Sequence, residues 1–130
     1  MVQQHAKLTA PAIRAMKSAS KITALTAYDF QTASLLDLAG IFALVLECIP
    51  SQLAQRITSQ LSIPTIGIGA GPHCDEQILV VNDLLGMGPE QKPKFVKQYA
   101  NLNESIKNAA KDFIDDVKEN KYPSEKHAYT

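Results

Sequence analysis

The chain has 130 residues, 45% of them hydrophobic and 20% charged, a size and balance that suit one globular domain with its own packed core. Thirteen Lys and Arg offset thirteen Asp and Glu to a net charge of zero, which gives no electrostatic footprint for nucleic acid or an anionic membrane surface. Two cysteines are too few for a disulfide scaffold, no apolar run approaches the ~20 residues that span a bilayer, and the opening MVQQHAKLTA lacks the apolar centre of a signal peptide, so a cytoplasmic protein is expected.

In chain order, Thr9 is expected to cap a short helix that holds Pro11 in its first turn and continues through Ala12, Ile13, Ala15 and Met16. Residues 22–28 (ITALTAY) read as a buried strand. Asp29 then reads as an N-cap, with a helix over 30–39 ended by Gly40. Residues 42–46 (FALVL) form a second continuous apolar run, which suits a parallel sheet covered on both faces. Pro50 opens a helix whose stripe is Leu53, Ile57 and Leu61. A third strand is predicted at 65–68, loosened by Gly67, Gly69 and Gly71, and a fourth at 78–81, followed by Asp83 and a turn-rich stretch over 86–89. Leu102, Ile106, Ala109, Ala110, Phe113, Ile114 and Val117 keep helical spacing over about four turns. The tail from Lys121 to Thr130 is polar and is expected at the surface. Strand and helix alternate three times, which argues for right-handed βαβ units and a parallel sheet. That pattern fits an open doubly wound sheet and part of a barrel equally well.

Three stretches carry a family resemblance. KLTAPAIRAMKSASKITALTAYDFQTASLLDLAGI (7–41) resembles the start of ketopantoate hydroxymethyltransferases, with the Thr-Ala-Tyr-Asp end of the first strand. FALVLECIPSQLAQRITSQLSIPTIGIGAGPHCDEQILVVNDLLGM (42–87) resembles the sixth to eighth strand regions of the same family. PKFVKQYANLN and YPSEKHAY resemble its C-terminal helices and ending. Leu-Glu-Cys-Ile-Pro and Ile-Gly-Ile-Gly-Ala-Gly-Pro, in this order and spacing, are specific together.

The resemblance implies an α/β fold, a partial (β/α)8 barrel of about four parallel strands corresponding to barrel strands one, six, seven and eight. It implies one partial-barrel domain over 1–130: a first βα unit at 7–41, three strand units at 42–90, and C-terminal helices and tail at 91–130. A complete barrel of this kind takes ~250 residues. The family's second to fifth strands have no counterpart here, nor does its Gly-Asp-Ser metal loop, and an in-frame deletion between two Ala-Gly stretches is the expected origin. Two spatial orders are open for the remaining strands, 6-7-8-1 or 1-6-7-8.

The family moves a one-carbon unit from 5,10-methylenetetrahydrofolate to 3-methyl-2-oxobutanoate, making ketopantoate, with Mg2+ polarising the 2-oxo acid. By resemblance Glu47 is the general base, placed at the C-terminal end of a barrel strand where such enzymes put their chemistry. Read without the family, Glu47 is a strand-end carboxylate that faces solvent. Gly67, Gly69 and Gly71 are either an anion-binding nest or room for close backbone packing. His73, Cys74 and Asp75 are adjacent and do not have zinc-ligand spacing, so no metal ligand is assigned, and no cofactor-binding residue. Glu76 stands where the family has Gly. Cys48 and Cys74 are expected to be reduced and without a catalytic role, Asp29 to be a cap, and His127 and Tyr129 to serve in docking. The expected function is that of a hydroxymethyltransferase homologue inactive alone, which does not bind Mg2+ and the folate co-substrate productively. The alternatives are a non-catalytic partner of a full-length paralogue and a decaying gene product. The resemblance implies a small 2-oxo acid as ligand. The two open edges of such a sheet predict a homo-oligomer or association with that paralogue.

Overall fold

The computed structural model describes residues 10–129, which fall into two compact units, one ending at Ile78 and one beginning at Leu79. The first unit opens with α1 (Ala10–Ala15) and then alternates β1 (Ala24–Thr26), α2 (Phe30–Leu38), β2 (Ala43–Glu47), α3 (Ser51–Gln60), β3 (Thr65–Ile68) and β4 (Glu76–Gln77). All four strands are parallel and lie in the order β1-β2-β3-β4. This is an α/β fold of the partial-barrel kind, and its order is the 1-6-7-8 alternative. The short link from α2 leaves β2 no reach beyond the strand just laid down, so sequential strands become neighbours.

The sheet has a helix-covered face. Leu44 pairs in register with Thr65, and Leu46 with Gly67. Leu44, Leu46 and Thr65 are fully buried with Ala54 and Ile57 of α3 and Ala33 of α2. Successive strand residues point to opposite faces, so Val45 and Glu47 of β2, with Ile66 and Ile68 of β3, lie on the other face, Glu47 exposed and the other three half-buried. Leu53 and Leu61 complete the α3 stripe against the core. Arg56 of α3 lies over the Phe30 ring of α2, 4.9 Å from its centroid. Asp37 near the end of α2 accepts from the Ser62 amide and hydroxyl at 2.9 and 2.7 Å. α2 ends as expected, with Gly40 in the left-handed region at φ 83°.

Two strands differ from the sequence reading. The run 22–28 is not a buried strand: only Ala24–Thr26 is strand, and all three residues are exposed. β1 is an edge with no strand outside it, so its apolar side chains find no cover. The fourth strand is Glu76–Gln77 rather than 78–81, and Val81 begins a helix. Its ladder ends where the Ile78 amide donates to the Gly67 carbonyl. Beyond Ile68 the β3 backbone turns away at Gly69, φ 65°, and leaves later residues no parallel partner.

The second unit contains α4 (Val81–Leu85) and α5 (Leu102–Lys118). The Asn101 side chain caps α5 by accepting from the Glu104 amide, and Asn103 ties the first turn back to the Gly86 and Gly88 carbonyls. α5 has the predicted amphipathic spacing, yet none of its residues is buried. In the tail, His127 sits 4.9 Å from the Tyr122 ring and accepts from the Ser124 amide through Nδ1, while Tyr129 is fully exposed. The Thr9 cap lies outside the described residues. No helix among them is long and apolar enough to cross a membrane.

Candidate active site at the strand ends

The C-terminal ends of β1, β2 and β3 lie side by side because the strands are parallel and adjacent. Each delivers a polar residue there: Asp29 after β1, Glu47 at the end of β2, and the 69–75 loop after β3.

Asp29 caps its own helix. One carboxylate oxygen accepts from the Thr32 amide and the other from the Thr32 hydroxyl, both at 2.8 Å. These bonds, the amide first, hold the Asp29 carboxyl below its usual range, because they favour the charged form. It is the expected cap.

Glu47 closes β2 opposite Ile68. Its side chain is exposed and has no hydrogen-bond or ion-pair partner among the described residues. The next residue, Cys48, adopts a left-handed backbone, φ 52°, while its amide still donates to the Ile68 carbonyl at 2.9 Å. The ladder thus grips the chain one residue past Glu47, and the chain then swings into Pro50, the N-cap of α3. A non-glycine residue in that region is strained, and the sequence offered no sign of it.

The 69–75 loop is built for packing. Its anchor is Thr65, fully buried. The Asp75 carboxylate accepts from the Thr65 amide and hydroxyl, each at 2.9 Å, and the Asp75 amide donates back to the Thr65 hydroxyl at 3.2 Å. The single hydroxyl proton of Thr65 goes to Asp75, so Thr58, 2.9 Å away, donates to Thr65. A Cβ on Gly67 would come within 2.9 Å of Cys74 Sγ. Gly71, at φ 79°, lies against α3, where a Cβ would approach Ser51 Oγ to 2.3 Å. Close approach therefore accounts for Gly67 and Gly71. His73, Cys74 and Asp75 diverge: His73 is exposed, Cys74 packs toward the core, and Asp75 is engaged with Thr65. Among the described residues no three His, Cys, Asp or Glu side chains come together as metal ligands. Glu76 is exposed on β4 opposite Ile66.

A parallel βα sheet with a free carboxylate at a strand end defines a class: an α/β protein with its candidate chemistry at the C-terminal rim of the sheet. Residues 33–125 match the family described as ketopantoate hydroxymethyltransferase. The 3-methyl-2-oxobutanoate hydroxymethyltransferase of Chlorobium phaeobacteroides is 57% identical over 99 residues, 76% of this chain and 36% of that protein. Its counterpart in Syntrophus aciditrophicus is 52% identical over the same shares, and that of Moorella thermoacetica 56% identical over 70% of this chain and 34% of that protein. The chain belongs to the ketopantoate hydroxymethyltransferase family. It spans about a third of the length of the curated relatives it matches. The family match begins inside α2, taking in Glu47 and leaving β1 before it.

Proposed function

We propose that this chain carries the base-bearing part of a 3-methyl-2-oxobutanoate hydroxymethyltransferase site in pantothenate biosynthesis, and that it is catalytically incomplete alone. The observation that carries the reading is the placement of Glu47, at the C-terminal end of β2 inside the family match, with its carboxylate free. In the reaction a proton leaves the carbon beside the ketone of 3-methyl-2-oxobutanoate, and the enolate takes up the one-carbon unit of 5,10-methylenetetrahydrofolate. Glu47 is the group that accepts that proton. β1 and α2 stand in for the first βα unit of the barrel and β2 to β4 for the sixth to eighth strands, in a cytoplasmic enzyme acting on a small 2-oxo acid.

Mg2+ would supply carbonyl polarisation in such a reaction, and the donor set among the described residues does not fit it. Asp29 is hydrogen-bonded to Thr32 and Asp75 to Thr65, and Glu47 belongs to no cluster of three or more His, Cys, Asp or Glu side chains among the described residues. No step is assigned to the ion. The test is ketopantoate formation from 3-methyl-2-oxobutanoate, 5,10-methylenetetrahydrofolate and Mg2+, with a full-length relative as positive control. No product is expected from the chain alone. Rescue of a pantothenate auxotroph by this chain alone would sink the proposal. Any residual deuterium exchange into 3-methyl-2-oxobutanoate must disappear in Glu47→Gln, and its persistence would remove Glu47 from the role of base.

A further inference from the structure

We propose that the two open edges of the sheet pair with those of a second copy of this chain, β4 of each against β1 of the other, closing a ring of eight parallel strands. The edges can be read atom by atom. The Thr23 carbonyl accepts from the Phe42 amide and the Ala27 amide donates to the Val45 carbonyl, so residues 23, 25 and 27 bond toward β2. By the alternation of a parallel ladder, the backbone groups of Ala24 and Thr26 point away from the sheet. On the far edge Ile78 bonds toward β3, and Gln77 presents its backbone outward. One edge is thus the parallel continuation that the other lacks.

Apolar side chains cluster along the same edges. Ile22 is 42% exposed, Leu25 54% and Ile78 49%. Ile22 and Leu25 line an open groove with Leu36 and Ile41 beside β1. An unpaired apolar edge of this kind is a template for another strand. The occupant follows from counting. Four strands do not close around a filled interior, whereas eight do, and two copies of this sheet supply eight in one direction. An intact full-length barrel has no free edge to offer, so for these seams a second open half is the fitting partner. Two-fold closure makes two seams at once, and each holds the other at high effective concentration.

The test is sedimentation across a concentration series with edge variants. A discrete dimer of twice 14.2 kDa is expected at micromolar concentration. Proline removes an outward amide at each edge, and at Gln77 it also removes the side-chain bond to the Gly71 carbonyl; Ala24→Pro and Gln77→Pro should each weaken dimerisation at least tenfold. Mixing the two variants restores one intact seam, β4 of the first against β1 of the second, and should recover part of the lost association. That recovery also shows that both variants fold. A monomer at high micromolar concentration, an open series of larger species, or a dimer indifferent to Gln77→Pro would each overturn the proposal.

Discussion

At the residue scale the strand-end loops are held by a few groups, and each can be removed. Thr65→Val keeps the volume of a fully buried side chain while deleting the hydroxyl that joins Thr58 and Asp75. With net values near 1 kcal/mol per bond, and Asp75 open to solvent, a loss of about 1–2 kcal/mol in urea unfolding is expected. Gly71→Ala forces a side chain into a left-handed backbone and onto Ser51; it should cost about 1–3 kcal/mol, and Ser51→Gly should recover the steric part. Cys48→Gly should do the reverse, raising stability by about 1 kcal/mol, because it relieves a left-handed non-glycine residue. For Asp29 the folded-state carboxyl is lowered by its Thr32 bonds. Its stabilisation of α2 is therefore full above the ordinary carboxylate range and drains away as pH falls through the folded-state value. An acid titration of the melting temperature should show Asp29→Ala losing this sensitivity. The Asp29 cap was legible because caps leave local signatures, and Glu47 stands at the strand end where the family resemblance put it. The Thr65–Asp75 clamp and the Cys48 backbone were not, since one joins residues ten apart and the other is a conformation that no side chain announces.

At the scale of elements, α2, α3, β2 and β3 were legible from apolar runs, a cap residue and a helical stripe. The first strand was misjudged in length and the fourth in place, because an apolar run records how readily a segment can be buried, not whether a neighbour exists to bury it. The ITALTAY run is built for an interior and stands at an edge. Leu35 and Leu38, 66% and 78% exposed on α2, tell the same story for a helix whose apolar residues are not gathered on one face. The central strand should respond as a core: Leu44→Ala, at a fully buried site, is expected to cost about 2–5 kcal/mol. Leu38→Lys should change stability by less than about 0.5 kcal/mol, and both values can be read from denaturant midpoints.

For the whole molecule, the sheet unit alone leaves Ile22, Leu25, Tyr28, Leu35, Leu38 and Ile78 exposed, a heavy apolar surface for a free monomer. If the edges pair as proposed, folding is coupled to association, and the melting temperature should rise with protein concentration by mass action. The fold as a partial barrel followed from the alternation of elements together with the family motifs. The choice between two strand orders needed coordinates, because it turns on how far a short connection can reach.

The strand order has a further consequence, for the route by which the chain acquires this structure. Each strand pairs with the next one made, at separations of 19 residues from Ala24 to Ala43, 21 from Leu44 to Thr65 and 10 from Ile66 to Glu76. No pairing waits for a distant part of the chain. Parallel sheets are ordinarily slow to form because their contacts close long loops, but here every loop is a single crossover. The sheet can therefore be laid down from the N-terminal side as synthesis proceeds, each βα unit docking on the one before it. The seam to a second copy is then the one step left for encounter between finished chains.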